Sequence, residues 1–173
     1  NPNSLPLNNI TRITEDHDGN IWMSTLGAGL VAYDSLTNSF DKLYADPNDS
    51  NTPYSNDILN IFCDKDGLIW LAYVNGFSRF NPKDGAFHHF VAGSDGIPYT
   101  GEISGFAQTP DGFIWAASES SGLLRIEPAT GKIQIHVHEE GNENTIIGGW
   151  LSHLIVDQSG DVWVSSENSG ISR

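Results

Sequence analysis

One short segment recurs four times in this 173-residue chain, and each copy ends in a tryptophan. The copies read EDHDGNIW, CDKDGLIW, QTPDGFIW and VDQSGDVW, and they end at Trp22, Trp70, Trp115 and Trp163. Successive tryptophans are 48, 45 and 48 residues apart. A period of this length along the whole chain indicates one supersecondary unit repeated in series, because such a unit buries its apolar faces only against its neighbours.

Each complete copy predicts four β-strands. One apolar-rich strand precedes a turn, the tryptophan lies in the second strand, and two more apolar runs follow a glycine. A glycine in the turn suits a tight hairpin because it adopts positive φ at little cost. We therefore interpret the shared tryptophans as structural, together with the turn glycines Gly19, Gly67, Gly112 and Gly160.

The predicted fold class is all-β. Because a single four-stranded sheet cannot bury both of its faces, we expect the sheets to pack as blades of a β-propeller fragment. Three antiparallel blades are expected to be complete and a fourth to be partial. We expect one propeller segment over residues 1–173, with blades at about 8–47, 56–93, 101–139 and, partially, 149–173. Both termini are expected to lie inside a longer array whose remaining blades are partners of this segment.

The amino-acid composition disfavours several classes of function. A net charge of −14 disfavours nucleic acid and an anionic membrane surface, both of which attract clustered Lys and Arg. No run approaches the ~18 apolar residues of a membrane span, so we expect no direct membrane insertion of this segment. The single cysteine, Cys63, lies in an apolar run and is interpreted as a buried small hydrophobe. We predict no cofactor.

The repeat pattern resembles the two-component regulator propeller repeat. The best copy contains Asp16, Gly19, Ile21, Trp22, Gly29, Leu30, Tyr33 and Asp34. The third copy departs from the pattern, with Thr109 in place of the first Asp and Ile126-Glu127 in place of Tyr-Asp. The resemblance implies the periplasmic, ligand-sensing part of a membrane-anchored bacterial regulator such as a hybrid histidine kinase. It implies no enzymatic activity for this segment, and a small molecule or oligosaccharide as ligand.

Two alternatives stay open. One is a structural or protein-interaction propeller that transmits its state through dimer contacts and has no ligand of its own. The other is an enzyme similar to the streptogramin lyases, whose blades carry a similar pattern. That alternative requires His and Glu side chains that converge at the channel of a closed ring. We also expect self-association, because the end blades should expose the faces near Trp22 and Trp163.

Positions at which the copies differ are the better candidates for binding. In an up-and-down blade, the loop between the second and third strands shares one rim with the inter-blade loop. The candidates on this rim are Trp150, Tyr54, Tyr99, Glu119 and Glu167. An aromatic ring beside a polar loop suits stacking on a sugar, although blade packing would equally explain it.

The innermost strands and the histidines supply the remaining candidates. Arg12 and His153 occupy one variable register position near the expected channel, where they could meet a ligand or simply satisfy polar neighbours. The histidines of the fourth strands, among them His89, His136 and His138, are expected to face solvent. Because no further ligands accompany them, we predict no metal site and no catalytic residue.

Overall fold

The computed structural model describes Leu5, residues 8–91 and residues 101–173. Fifteen β-strands account for the regular structure of these residues. None of the described residues forms a helix of the length and apolar character that crossing a membrane requires.

The strands form four sheets in which consecutive strands are neighbours. Sheet 1 contains β1 (Ile10–Glu15), β2 (Ile21–Thr25), β3 (Leu30–Asp34) and β4 (Ser39–Leu43). Sheet 2 contains β5 (Asn60–Cys63), β6 (Ile69–Tyr73), β7 (Gly76–Asn81) and β8 (Ala86–Val91). Sheet 3 contains β9 (Ile103–Gln108), β10 (Ile114–Ser118), β11 (Gly122–Ile126) and β12 (Ile133–His136). Sheet 4 contains β13 (Leu151–Val156), β14 (Val162–Ser166) and β15 (Gly170–Ser172). The prediction of an all-β fold with three complete sheets and one partial sheet is confirmed.

One hydrogen-bonded device explains the recurring Asp-to-Trp pattern. In sheets 1, 2 and 4 a carboxylate oxygen accepts the indole N–H of the tryptophan six residues later, at 2.8, 2.7 and 2.7 Å. The other oxygen accepts two backbone N–H groups of the turn, which closes the hairpin. We call this arrangement the Asp–Trp clasp. Its three pairs are Asp16–Trp22, Asp64–Trp70 and Asp157–Trp163.

Each clasp requires a glycine inside its turn. Gly19, Gly67 and Gly160 have φ values of +83°, +81° and +88°, which lie in the left-handed region. A side chain would be strained there, so glycine lets the backbone N–H groups converge on the carboxylate. The recurring Gly of the sequence pattern is thus part of the same device as the recurring Asp.

The chain divides into two compact units. Unit 1 comprises Asn1–Tyr73 and Phe77–His89, and unit 2 comprises Val74–Gly76 and Phe90–Arg173. The blade boundaries within a single propeller segment stay a prediction.

The core of unit 1 forms between the facing strands of sheets 1 and 2. The ring of Trp22 meets that of Phe80 edge to face, with centroids 5.5 Å apart. Around this contact lie the buried side chains of Leu30, Ile58, Ile61, Ile69 and Leu71. The hydroxyl of Thr11 donates to the carbonyl of Ile58 at 2.7 Å, and this bond links β1 to the segment just before β5.

Unit 2 repeats this construction. Its core contains Ala107, Ala117, Leu123, Leu151, Leu154 and Val164. The hydroxyl of Ser104 donates to the carbonyl of Leu151 at 2.8 Å, as Thr11 donates to Ile58 in unit 1. The tryptophan-bearing face of sheet 4 differs, because Ile155, Trp163 and Ile171 are 63%, 37% and 67% exposed.

The clasp predicts a burial-dependent contribution to stability. Asp64 and Trp70 are 1% and 0% exposed, so Asp64→Ala leaves three donors unsatisfied inside the protein. We expect it to lower the free energy of unfolding by about 3 kcal/mol. Asp157→Ala is the matched control: it removes the same bonds beside the exposed Trp163, where water replaces them, and should cost clearly less. Urea unfolding of both variants measures the difference, and equal losses would contradict this account.

The clasp also predicts acid sensitivity. Burial raises the pKa of Asp16, but the hydrogen bonds from Trp22, Asn20 and the turn backbone outweigh it and hold the pKa below its ordinary value. The unfolded chain binds this proton near pH ~4 and the folded chain only at lower pH, so stability decreases as pH falls below that point.

We therefore expect Asp16→Asn to be less stable than the natural chain at pH 7 but to lose less melting temperature between pH 5 and pH 3. Asp18→Asn changes a carboxylate in the same turn that accepts none of the clasp hydrogen bonds, so its acid profile should parallel that of the unchanged chain. A parallel profile for Asp16→Asn would show that the clasp does not titrate as described.

Candidate functional site

A cavity of about 430 Å³ opens in unit 2 beside the loop that joins β10 to β11. We call it the rim cavity. Its walls come from Ser120–Gly122, from the end of β12 and its continuation, and from the loop before β13. The lining residues are Ser120, Ser121, Gly122, Ile135, Val137, His138, Ile146, Ile147, Gly148 and Gly149. Two hydroxyls, one imidazole and glycine backbone thus supply its polar groups.

The rim is fixed by backbone hydrogen bonds that recur between copies. The N–H of Glu119 donates to the carbonyl of Glu102 at 3.0 Å, and the N–H of Glu167 donates to that of Trp150 at 3.1 Å. In unit 1, Leu26 and Asn9 form the same bond at 3.0 Å. Since only main-chain atoms take part, the side chains at these positions can differ without changing the rim.

Trp150 is a side chain that differs in this way between copies. The bond places it in register with Asn9 and Glu102, so a tryptophan occupies a position that is polar in these copies. Its side chain is 62% exposed although it is one of the largest apolar groups in the chain. Trp150 directly follows Gly149 of the rim cavity, and Glu119 directly precedes Ser120. The structure therefore brings three predicted candidates, Glu119, Trp150 and Glu167, to the rim of unit 2.

His138 belongs to this rim and was not predicted as a site residue. Its Nδ1 lies 2.9 Å from the carbonyl oxygen of Ile146. Because a carbonyl only accepts, Nδ1 carries the hydrogen of this bond, and Nε2 is the second ring nitrogen. The loop passes so close that a Cβ at Gly148 would lie 2.9 Å from Cδ2 of His138. His138 is exposed as expected, but no sequence pattern predicts its contact with a residue eight positions later.

The other predicted candidates lie elsewhere. In unit 1, the Tyr54 ring contacts those of Tyr73 and His89, with centroids 5.8 and 5.9 Å apart. Arg12, also in unit 1, is exposed and donates to the carbonyl of Thr11 at 3.0 Å. His153 is exposed and lines an apolar recess on sheet 4 next to Trp163. Tyr99 lies outside the described residues.

Two histidines expected to face solvent are instead partly buried. His89 is held at both ring nitrogens, with Nδ1 2.7 Å from the hydroxyl of Ser78 and Nε2 2.9 Å from the carbonyl of Ser50. It thereby pins the loop before β5 onto β8. His136 is half-buried, and its Nε2 has no hydrogen-bond partner among the described residues. The expectation was wrong because it considered only strand order and not the loops and side chains that cover the outer strands.

The described residues contain no grouped metal ligands, and their single thiol has a raised pKa. Among residues 8–91 and 101–173, no three His, Cys, Asp or Glu side chains are grouped so as to hold a metal ion. Burial, with smaller effects from Asp64 and Asp16, raises the pKa of Cys63 to about 11. The thiol is therefore protonated at neutral pH and unreactive as a nucleophile.

Comparison with known proteins identifies the repeat. Residues 4–27 match the family model described as two component regulator propeller. No curated protein sequence matches the chain significantly.

Several solved structures have a similar fold. The chain is similar to the extracellular domain of the hybrid two component system BT3049 from B. thetaiotaomicron, with a TM-score of 0.81 and 20% identity over 98% of this chain and 23% of that one. For the extracellular domain of BT4673 from the same organism the TM-score is 0.78, at 20% identity over 96% of this chain and 21% of that one. For virginiamycin B lyase from Staphylococcus aureus it is 0.69, at 15% identity over 97% of this chain and 56% of that one.

The chain spans less than a quarter of the two extracellular domains that it matches. At these identities the likeness shows the fold, a β-propeller. The family match supplies the identity of the repeat. The predicted resemblance is thereby confirmed: residues 4–27 match the two component regulator propeller model, and the fold is that of a β-propeller.

Proposed function

We propose that this chain is part of the extracytoplasmic, ligand-sensing propeller of a membrane-anchored bacterial two-component regulator. The family match and the fold shared with two extracellular domains of such systems support this proposal. The chain acts by binding and not by catalysis. The lyase alternative draws support from the fold of the S. aureus enzyme, but the sensor domains have the higher TM-scores.

The rim of unit 2 is the proposed ligand site, and a neutral oligosaccharide is the proposed ligand. The exposure of Trp150 carries this proposal, because an indole face in water suits stacking on the apolar face of a sugar ring. Glu119 and Glu167 provide carboxylate acceptors for sugar hydroxyls, and His138 adds a ring nitrogen. Two carboxylates at the rim disfavour an anionic ligand through like-charge repulsion.

Substitution of Trp150 tests this site. With a panel of neutral oligosaccharides of about two to six units as probes, we expect at least one to raise the melting temperature and to bind in calorimetry. Trp150→Ala should weaken that binding about tenfold or more, whereas Trp150→Phe should retain part of it. Tyr44→Ala is the matched control, since Tyr44 is a 48% exposed aromatic in unit 1.

Two results would count against the oligosaccharide proposal. One is a panel in which no sugar shifts the melting temperature, and the other is unchanged affinity in Trp150→Ala. Either result would favour the alternative of an interaction propeller that has no ligand of its own.

The proposed protein partner of the exposed faces is a further sheet of the same repeat. Within each unit, the face that bears the tryptophan is covered by the first strands of the next sheet. On sheet 4 that face remains exposed at Trp163 and Ile171. Sheet 1 exposes its other face. Ile13 is 61% exposed, although it occupies the position at which Ile61 of sheet 2 is buried. One chain therefore offers both complementary faces, which suits head-to-tail association of two copies.

We expect the chain to self-associate with increasing concentration in sedimentation velocity experiments. Ile171→Glu should shift the equilibrium toward monomer, because it places a charge in the face that becomes buried. Leu36→Glu is the matched control: Leu36 is 96% exposed in a turn of unit 1 and belongs to neither face. A chain that stays monomeric at high concentration would remove this partner from the proposal.

A further inference from the structure

A second and larger cavity, of about 560 Å³, lies in unit 2 between sheet 3 and the turn that joins β13 to β14. We call it the outer cavity. Only Ile146 lines both this cavity and the rim cavity. The side chains that matter for its chemistry are Thr109, Asp111, Trp115, Arg125, His136 and Asp161. A volume of this size accommodates a small organic ligand.

Two of the positions at which sheet 3 departs from its sister sheets line this cavity. Thr109 replaces the aspartate of the clasp. His136 replaces an apolar residue. The glycine at the start of the third strand lies close to the carbonyl of His136, and the corresponding glycines of sheets 1 and 2 lie close to the carbonyls of Leu43 and Phe90. His136 therefore occupies the position that Leu43 and Phe90 have in those sheets. The two departures coincide in space although they are 27 positions apart in sequence.

At the first departure, the carboxylate belongs to Asp111 instead of to the clasp position at Thr109, and it pairs with the cation of Arg125. The indole N–H of Trp115 donates to the hydroxyl of Thr109 at 3.2 Å, and that hydroxyl donates to Asp111 at 2.5 Å. The second oxygen of Asp111 lies 3.4 Å from Nη2 of Arg125. The hydrogen bond from Thr109 is the main cause that lowers the pKa of Asp111, so its carboxylate stays charged beside the guanidinium.

An aromatic ring and a single hydrogen bond among the described residues orient the guanidinium of Arg125. Its guanidinium carbon lies 3.3 Å above the centroid of the Phe113 ring, a cation–π contact that fixes the plane of the fork. Of its five N–H donors, one reaches Asp111 among the described residues. A guanidinium that is oriented in this way binds a carboxylate through two parallel hydrogen bonds at little further entropic cost.

The second departure adds a neutral ring to the wall. The imidazole of His136 stacks on Trp115, with centroids 5.4 Å apart and an interplanar angle of 29°. Burial, and then the charge of Arg125, hold the pKa of His136 below its ordinary value, so the ring is uncharged at neutral pH. Its Nε2 is buried without a hydrogen-bond partner among the described residues, which is a cost that an apolar residue would avoid.

The charges of the wall constrain the ligand. Arg125 pairs with Asp111, and Arg173 donates to Asp161 at 2.5 Å. The positive and negative charges of these two ion pairs therefore balance. A ligand with two negative charges would meet two carboxylates, whereas a single carboxylate can take the spare donors of Arg125. The hydroxyl of Ser159 and the carboxylate of Asp161 suit hydroxyls on the same ligand.

We propose that the outer cavity is a binding site for a small hydroxylated monocarboxylate, such as a sugar acid, with its carboxylate on Arg125 and its body against His136. This site is separate from the rim site of the proposed function, which presents carboxylates and an exposed indole. The chain thus has one site suited to a neutral ligand and another suited to an acidic one.

Titration with glucuronate, and with glucose as its neutral analogue, tests the proposal in calorimetry. We expect glucuronate to bind at least about tenfold more tightly than glucose, the difference that one charged recognition group confers. Arg125→Gln should remove this preference. Lys83→Gln removes an exposed positive charge in unit 1, away from the outer cavity, and should leave glucuronate affinity unchanged.

His136→Leu separates ligand binding from a structural role. It restores the apolar residue found in sheet 1 and removes the unpaired Nε2, so the melting temperature should be equal or higher. Glucuronate affinity should nevertheless fall, because Leu lacks the flat ring that contacts the ligand. Trp150→Ala should leave glucuronate affinity unchanged, which distinguishes this site from the rim.

Three results would each overturn the proposal. They are absence of glucuronate binding at about 10 mM, equal affinity for glucose, and unchanged glucuronate affinity in Arg125→Gln. None of them bears on oligosaccharide binding at the rim, so the two proposals fail independently.

Discussion

The fold depends on a carboxylate that holds an indole. In three of the four sheets, one aspartate both closes the first hairpin and accepts the N–H of the second-strand tryptophan, which is buried in sheets 1 and 2. A large ring is thereby buried with its one polar atom satisfied, which removes the main cost of placing tryptophan inside a protein. Turn and core are coupled, because the same side chain serves both.

This coupling explains how much the sequence could predict. The Asp, Gly and Trp of each copy are local in sequence, so their spacing predicts the hairpins, the strands and the all-β class. The partners of His89, Ser50 and Ser78, lie 39 and 11 residues from it, on a loop and a neighbouring strand. No local pattern encodes such contacts. The loop that contains Trp150 is also outside the repeat, yet its unusual tryptophan was visible as a difference between copies.

The candidate sites follow the same division between shared and differing positions. At the rim, backbone bonds position Glu119, Trp150 and Glu167 while their side chains vary. At the outer cavity, the third copy loses its aspartate and gains a histidine, and both changes weaken a structural device while adding polar lining. The sequence showed the change at Thr109, but its meaning required the positions of Arg125 and His136.

The main-chain bond at Leu26, Glu119 and Glu167 has a consequence for how such proteins diversify. A substitution at these positions alters what the rim presents to solvent but leaves the hydrogen bond that shapes it. Selection for folding therefore hardly restrains these side chains. Within a lineage, the surface chemistry of the rim can therefore change one residue at a time while every intermediate still folds.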